Sequence, residues 1–269
     1  EGITVLMGAP TMLLDLLQHP DIDKLDLSRI SNISAGGAAT PSALADLYKS
    51  KLPKSMPGAG WGLTETGGTG AAFTGALMSQ FPGTAGFLSP IIESSFRDEA
   101  GQPVADGEPG EIWIKSPTCI QSYVSGDFSG DDFFEGWFKS GDVGYLNAEG
   151  ILVICDRVKD MIIRGGENIY PAEIENCLLS LDGCQEAAVF GIPNDRLGEE
   201  VAATVVCSAE APLTVADIQA YCSKHLAAFK VPQHIHISAQ TLPRNATKKP
   251  LKRQIKQQFI DHQAANEDC

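Results

Sequence analysis

A glycine-rich stretch that reads GWGLTETGG from Gly60 combines residue types suited to binding a nucleotide with its metal ion. Trp61 lies between Gly60 and Gly62, so a flat aromatic face is available to a base or an acyl chain. Thr64 offers a hydroxyl to a phosphate, and Glu65 offers the carboxylate oxygen that Mg²⁺ prefers alongside substrate phosphates. A glycine-rich surface loop is the alternative interpretation. The spacing indicates a phosphate and magnesium site, with Thr64 and Glu65 as candidate catalytic residues and Glu65 as the metal ligand.

Two further segments favour nucleotide binding. A strand predicted at 30–34 leads into Gly36, Gly37 and Ala38, and the next helix begins directly afterwards. The free N–H groups of a helix start favour anions, although a glycine pair also permits close packing. Asp142 follows a serine and a glycine, and a carboxylate there can accept hydrogen bonds from ribose hydroxyls. Such an aspartate can equally stabilise its own turn.

The stretch DRVKDMIIRGGENIYPAEIE, residues 156–175, predicts a charged connector, a strand, a glycine turn and a helix. Residues 161–163 are apolar and predict one buried strand. Gly165 and Gly166 allow positive φ angles and a close approach to the backbone. Pro171 suits the first turn of a helix. An ordinary loop between a strand and a helix would explain the same pattern.

The elements around these segments predict a mixed α/β and α+β fold. An apolar run at 3–7 and a helix from Pro10 open the chain, with an apolar stripe of Met12, Leu13, Leu16 and Leu17. Short strands with turn residues follow from Thr84 and predict a small antiparallel β subdomain. We therefore predict that residues 1–155 form the end of a large domain and that residues 156–269 form a mobile α+β domain.

Within the second predicted domain, strands are expected at 186–192, 200–207 and 234–237. Thr214 and Asp217 have the spacing of a capping box, which predicts the start of a helix that runs to Leu226. A cluster of five bases near the C-terminus is either a solvated helix face or a phosphate-binding patch. Its members are Lys248, Lys249, Lys252, Arg253 and Lys256.

Composition narrows the class of protein. The chain has 269 residues and a net charge of −14, which argues against nucleic acid as its partner. No stretch approaches the ~18 apolar residues of a membrane helix. The seven cysteines are odd in number and contain no C-x-x-C pair, which favours reduced thiols and a cytoplasmic location.

Three of these motifs together resemble the adenylate-forming, or AMP-binding, superfamily. GWGLTET is similar to its Y-G-x-T-E element, and WFKSGD to its W-x-x-T-G-D element, with Ser140 in place of threonine. RGGENIYPAEIE is most similar to fatty acyl-CoA synthetases. The resemblance implies that Thr64 contacts phosphate and that Glu65 holds magnesium. It also implies that Trp61 and Gly37 line the adenine and acyl pocket, and that Asp142 and Arg157 hold the ribose.

The resemblance assigns roles in the second domain as well. Lys159 corresponds to the hinge about which a small domain turns, and Gly166 lies where the pantetheine arm of CoA passes. The neighbouring residues Arg164, Gly165 and Glu167 are expected to bind cofactor too. PRNATKK resembles the P-x-x-x-x-G-K loop, which places the adenylation lysine at Lys249. Lys248 replaces the usual glycine, so which of the two lysines reaches the site stays open.

The function implied by the resemblance is an ATP-dependent acyl-CoA synthetase that acts through acyl-AMP, with ATP, Mg²⁺ and CoA and a small carboxylic acid such as a fatty acid. The alternatives are a nucleotide- or partner-binding protein without catalysis, an enzyme that loads a carrier protein, and an oxidative luciferase-type enzyme. The family's Ser/Thr/Gly-rich phosphate loop ending in lysine is not visible, so we expect a C-terminal portion that is inactive alone. It should expose an apolar face near 3–7 and 30–34, and self-associate or need an upstream half.

Overall fold

A computed structural model describes residues 2–37, 42–68, 70–121, 132–245 and 249–267. It divides the chain into two compact units, Glu1–Cys155 and Asp156–Cys269. Mixed sheets and flanking helices make up the two units, which confirms the predicted fold class. Among the helices that the structure describes, none combines the length and apolar character needed to cross a lipid bilayer.

The first unit begins with a five-stranded mixed sheet whose strands follow their order in the chain. They are β1 (Val5–Gly8), β2 (Asn32–Ala35), β3 (Met56–Gly62), β4 (Gly70–Thr74) and β5 (Phe87–Leu88). β1, β2 and β3 are parallel, and β4 and β5 are antiparallel to their neighbours. Helices α1 (Pro10–Leu17), α2 (Ser42–Lys51) and α3 (Ala76–Gln80) lie between the strands in sequence. Leu13, Leu17, Ile33 and Leu44 form the centre of their shared core.

Two of the predicted apolar positions in α1 are wrong. Leu13 and Leu17 are buried as expected, but Met12 and Leu16 are exposed. In this eight-residue helix only Leu13 and Leu17, which are four residues apart, face the core. The apolar face of the helix is therefore narrower than the sequence suggested.

The expectation of an exposed apolar face is partly wrong. Ile3, Val5 and Met7 are exposed, with 78% of Met7 accessible. Ile30 and Ile33 are buried, because they pack beneath α1 and α2. The exposed face therefore follows alternate residues of β1 and does not extend to the apolar residues of β2.

The antiparallel β subdomain predicted after Thr84 is confirmed. Its strands are β6 (Glu93–Arg97), β7 (Gly110–Lys115), β8 (Phe133–Phe134), β9 (Trp137–Leu146) and β10 (Leu152–Arg157). The sheet order is β10-β9-β7-β6, and β8 pairs with β9. Ile112 and Ile114 are fully buried, as their alternation in β7 predicted, and Trp113 on the other face of that strand is also buried.

The second unit is built on a long antiparallel hairpin that is covered on both faces. β13 (Cys184–Asn194) and β14 (Gly198–Cys207) pair along their whole length. The sheet is completed by β11 (Ile162–Arg164), β12 (Glu167–Ile169) and β15 (His234–Ser238). Helices α4 (Pro171–Leu179) and α5 (Val215–His225) contribute to one core, and α6 (Lys252–Glu267) contributes to another.

Alternation along the hairpin explains its two cores. In β14, Val201, Ala203 and Val205 pack with residues of α4 and α5. Ala202 and Val206, which point to the other face of the strand, pack with residues of α6. Successive side chains of a strand point to opposite faces, so an almost continuous apolar run is what a doubly covered strand requires.

The predicted strand, glycine turn and helix at 161–171 are present, and the structure adds one strand between the turn and the helix. Arg164 pairs with Glu167, so Gly165 and Gly166 form a two-residue hairpin turn and β12 was missed. Both glycines have positive φ, of 60° and 88°, as such a turn demands. The strand was also expected to be wholly buried, but Ile162 is buried and Ile163 is 45% exposed, because β11 shows the alternation of a strand with one exposed face.

Six cysteines are described, and all of them are free thiols. Four contribute to the core beneath α4 and α5: Cys177, Cys184, Cys207 and Cys222. Burial raises the pKa of both Cys184 and Cys222 to about 12, with a smaller contribution from neighbouring thiols. These side chains therefore act as small apolar groups in the core.

A buried ion pair gives the second unit a specific response to acid. Burial opposes ionisation of Glu200, but the Arg164 guanidinium and the N–H of Val201 overcome it and hold the pKa of Glu200 below its ordinary value of 4.5. The pair therefore stabilises the fold above pH 4.5, and this contribution is lost as the pH falls through the folded pKa.

We predict that Arg164→Met lowers the stability of the second unit by about 3 kcal/mol at pH 7, because it leaves a buried carboxylate unpaired. Glu200→Gln should remove part of the loss of stability on acidification. Hydrogen exchange of β14 peptides in urea at pH 7 and pH 4 measures both effects. The control is Glu173→Gln, which removes the more exposed pair with Lys230 and should cost less than about 1 kcal/mol. Equal costs for the two pairs would contradict this interpretation.

Candidate nucleotide-binding site

The end of β3 and the turn after it form the central part of the site in the first unit. Gly60, Trp61 and Gly62 end the strand, and a 3-10 helix covers Thr64–Thr66. Thr66 is fully buried, and its hydroxyl accepts the N–H of Leu63 at 3.2 Å and donates to the Leu63 carbonyl at 3.0 Å. This bonding fixes the turn with Thr64 exposed and Glu65 partly exposed.

The glycine pair predicted upstream lies beside this strand. Ala35 of β2 pairs with Ala59 of β3, which brings Gly36 next to Gly60. A Cβ at Gly36 would lie 3.9 Å from the Gly60 carbonyl, and one at Gly60 would lie 3.0 Å from the Ala71 carbonyl. Gly60 thus permits close packing, whereas a Cβ at Gly36 would make an ordinary contact. The two predicted segments meet where β2 and β3 end. Ala38 lies outside the described residues.

A buried hydrogen bond joins two residues that the sequence placed at separate parts of the nucleotide. The indole Nε1 of Trp61 donates to Oδ2 of Asp142 at 2.7 Å, across 81 residues of sequence. Asp142 lies in β9 and is only 5% exposed. The Trp61 ring packs against the core that contains Ile112 and Leu152. Trp61 therefore orients the Asp142 carboxylate through its indole N–H, in addition to providing a flat aromatic ring.

Sequence reasoning missed Glu111 in β7, which supports the turn before Asp142. Its Oε1 accepts the N–H of Gly141 at 3.2 Å, and its Oε2 accepts the indole N–H of Trp113 at 2.8 Å. The Ser140 hydroxyl accepts the N–H of Asp142 at 3.1 Å. The alternation that places Ile112 and Ile114 on one face of β7 was visible, but no local pattern shows that Glu111 meets a turn 30 residues away.

The magnesium prediction depends on the side chains available as ligands. Among the described residues, no group of three or more histidine, cysteine or acidic side chains is placed to hold a metal ion. A metal site at Glu65 would therefore include at most two such side chains from the described residues. That fits Mg²⁺, which proteins often bind through one or two carboxylates together with substrate phosphates.

In the second unit, the Gly165–Gly166 turn offers open space on one side. A Cβ at Gly165 would meet the Leu197 side chain at 3.2 Å, whereas one at Gly166 has nothing within 4 Å. Glu167 beyond the turn is exposed. Arg164 before it is engaged by Glu200, with Nε on Oε1 and Nη2 on Oε2, so the guanidinium stabilises the sheet.

The predicted connector contains a short 3-10 helix, Val158–Asp160, with no buried residue. Arg157 and Lys159 are exposed. Asp156 accepts the N–H of Arg157 at 2.8 Å and the N–H of Ala172 at 2.7 Å, so its carboxylate joins the connector to the first turn of α4. The charged run predicted a surface connector, and the burial pattern agrees with that.

Lys249 is exposed and lies close to the start of α6. Its N–H donates to Oδ1 of Asn245 at 2.9 Å, and the N–H of Asn245 donates to the Lys249 carbonyl at 2.9 Å. The backbone on either side of the predicted adenylation loop is therefore fixed. Lys248 lies outside the described residues.

The chain belongs to the AMP-binding enzyme family. The sequence model of the AMP-binding enzyme matches residues 1–124, and that of the AMP-binding enzyme C-terminal domain matches residues 173–249.

Similar proteins are CoA ligases and related synthetases. The long-chain-fatty-acid–CoA ligase FadD13 of Mycobacterium tuberculosis is 35% identical over 96% of this chain and 51% of its own length. Feruloyl-CoA synthase of Amycolatopsis is 34% identical over 96% of this chain and 52% of its own. Among solved structures, o-succinylbenzoate CoA synthetase (MenE) from Bacillus subtilis, in complex with ATP and magnesium, has a sequence 32% identical to this chain and a TM-score of 0.80. The match covers 95% of this chain and 52% of the MenE chain. The chain thus spans about half the length of the relatives it matches.

We predict that Trp61→Phe destabilises the first unit by about 1–3 kcal/mol, because the buried Asp142 carboxylate loses a donor. Asp142→Asn should cost less in the Trp61→Phe background than in the parent chain. Each arm of the double-mutant cycle is measured by urea unfolding, monitored through the fluorescence of Trp113 and Trp137 in this unit. Strictly additive costs would show that the hydrogen bond contributes nothing.

Proposed function

We propose that this chain carries much of the active site of an ATP-dependent acyl-CoA synthetase. The reaction converts a carboxylic acid, ATP and CoA into acyl-CoA, AMP and pyrophosphate through acyl-AMP. The observation that carries the proposal is the arrangement at the end of β3, where Thr64 and Glu65 lie three and four residues after a tryptophan that donates a hydrogen bond to Asp142. Membership of the AMP-binding family, and the CoA ligases among its relatives, support this function.

In the first half-reaction a carboxylate oxygen attacks the α-phosphorus of ATP, and pyrophosphate leaves. Thr64 would donate to a phosphate oxygen, and Asp142 with Arg157 would hold the ribose. Mg²⁺ held by Glu65 would neutralise charge on the phosphate oxygens. Lys249 would stabilise the negative charge where acyl oxygen meets phosphate, because its ammonium is a compact charge on a flexible stem.

In the second half-reaction the CoA thiol attacks the acyl carbonyl, and AMP leaves. The turn at Gly165–Gly166 would border the path of the pantetheine arm, and the open space beside Gly166 supports that role. We further propose that residues 1–155 are the end of the large domain and residues 156–269 the small one, with a hinge near Lys159. The separate cores of the two compact units support this division.

The proposed substrate is a small carboxylic acid, of which a fatty acid is the first choice. A cytoplasmic location is proposed on the free thiols of the six described cysteines, since disulfides are rare in that compartment.

We predict opposite effects of two substitutions in a complete polypeptide that carries this chain. Lys249→Ala should reduce formation of acyl-AMP by about 100-fold or more, and spare the attack of CoA on preformed acyl-AMP. Gly166→Leu should spare adenylation and slow thioester formation, because a side chain enters the open space at a φ that suits glycine. Pyrophosphate exchange and thioester release measure the two half-reactions separately.

Lys248→Ala is the matched control, since it removes a neighbouring charge. If that variant loses adenylation and Lys249→Ala does not, the catalytic lysine is Lys248. Equal losses in both half-reactions for both variants would contradict the assignment of separate roles.

We also predict that the 269-residue chain assayed alone does not form acyl-AMP. Its sequence has candidate residues for the ribose, the magnesium ion and the α-phosphate, but shows no Ser/Thr/Gly-rich loop ending in lysine for the β- and γ-phosphates. The exposed Val5 and Met7 of β1, together with Ile3 just before that strand, form an apolar strip. We therefore expect this strip to bind an upstream segment of the family's large domain, or a second copy of the chain.

Pyrophosphate exchange with a panel of fatty acids, run with and without an upstream segment in trans, tests this prediction. Exchange that appears only with the upstream segment is the expected result. Robust exchange by the chain alone would show that it is sufficient for adenylation. ATP binding without exchange in both conditions would favour the nucleotide-binding alternative.

A further inference from the structure

Two partly buried ion pairs lie at the two ends of the predicted adenylation loop. At the start of the loop, Nη2 of Arg244 lies 2.8 Å from Oε2 of Glu186 in β13. After the loop, Nζ of Lys252, the first residue of α6, lies 2.8 Å from Oε1 of Glu175 in α4. All four side chains are between 17% and 26% exposed, so both pairs are largely shielded from solvent.

Each carboxylate is itself fixed by the backbone. Oε2 of Glu186 also accepts the N–H of Leu242 at 3.2 Å, and Oε1 of Glu175 accepts the N–H of Val189 in β13 at 2.9 Å. Both pairs therefore connect the loop to the hairpin that is buried on both of its faces. The described ends of the loop are therefore joined to a hairpin whose two faces are both covered.

The described backbone between the two pairs is closed by short contacts. Arg244 and Pro250 form an isolated antiparallel bridge, and the N–H of Leu251 donates to the Pro243 carbonyl at 2.8 Å. Asn245 and Lys249 exchange the two hydrogen bonds described above. Lys249 is thus three residues from the Lys252 anchor and one residue from the bridge.

The charges at the Lys252 anchor favour its ionised form. Burial opposes the ammonium, but the carboxylates of Glu175, Asp156 and Asp160 outweigh it and raise the pKa of Lys252. Burial also raises the pKa of Glu175, and the Lys252 charge and the Val189 N–H offset only part of that effect. Replacing both members of such a shielded pair by apolar groups is often neutral, whereas removing one member leaves the other charge buried without its partner. The pair therefore constrains where the start of α6 lies against α4.

We infer that Arg244 and Lys252 are positioning residues for Lys249, acting as a two-point clamp that holds the loop backbone on β13 and α4. The inference rests on the proposed role of Lys249 in adenylation. It concerns two side chains whose charges are paired within the second unit, with Glu186 and with Glu175.

The first test is made on the chain itself, by hydrogen exchange of peptides that cover 243–251. Lys252→Met, Arg244→Met and the isosteric Glu175→Gln should each speed exchange there by about 10-fold more than they speed exchange in β13 and β14, which reports any general loss of stability. Lys252→Arg should retain protection because a guanidinium can still pair with Glu175. Lys256→Met, one turn further along α6, is the matched control and should resemble the parent chain.

The second test measures the half-reactions in the complete polypeptide. A loop displaced by about 1 Å can cost 100-fold in rate, so Lys252→Met should slow adenylation by about that factor and spare thioester formation. Lys252→Arg should recover most of the lost rate. A variant that merely weakened the fold would lower both half-reactions together.

Unchanged exchange of the loop in all three variants would overturn the clamp. So would loss of protection throughout β13 and β14 in every variant, since the pairs would then support the fold and not the loop. If Lys249→Ala keeps full adenylation, the proposed role of Lys249 fails, and the clamp is still decided by the exchange data.

Discussion

The hydrogen bond between the Trp61 indole and the Asp142 carboxylate is the contact on which the candidate site of the first unit depends. It links the mixed sheet, through β3, to the antiparallel sheet, through β9. A buried carboxylate without a donor is costly, so the tryptophan and the aspartate each constrain where the other can lie. The 3-10 helix that carries Thr64 and Glu65 begins three residues after Trp61, so this contact limits where that helix can lie, while the Thr66 hydrogen bonds fix its shape.

Local patterns predicted the elements well where a short stretch determines its own structure. The capping box at Thr214 and Asp217 marks the start of α5, and both of its hydrogen bonds are present. Two adjacent glycines predicted a turn at Gly165–Gly166, where both φ angles are positive. In these cases the physical cause lies within about four residues, so the sequence alone contains it.

Pairing between distant residues could not be predicted in the same way. The Trp61–Asp142 bond, the Arg164–Glu200 pair and the Lys252–Glu175 pair all depend on the arrangement of strands and helices. The exposure of Met12 and Leu16 has a similar cause, because a helix face is buried only where another element covers it. Residue types thus indicated which side chains could act on a nucleotide, and the fold decided which of them are neighbours.

The four cysteines in the core beneath α4 and α5 have a consequence for how this protein can be observed. With a thiol pKa of about 12, only roughly one in ten thousand Cys184 or Cys222 side chains is ionised at pH 8, so alkylating reagents find almost no thiolate. Opening of that core would return these thiols to ordinary reactivity. Their rate of alkylation therefore measures how often the core of the second unit opens. All three tryptophans lie in the first unit, so their fluorescence follows the other half of the molecule independently.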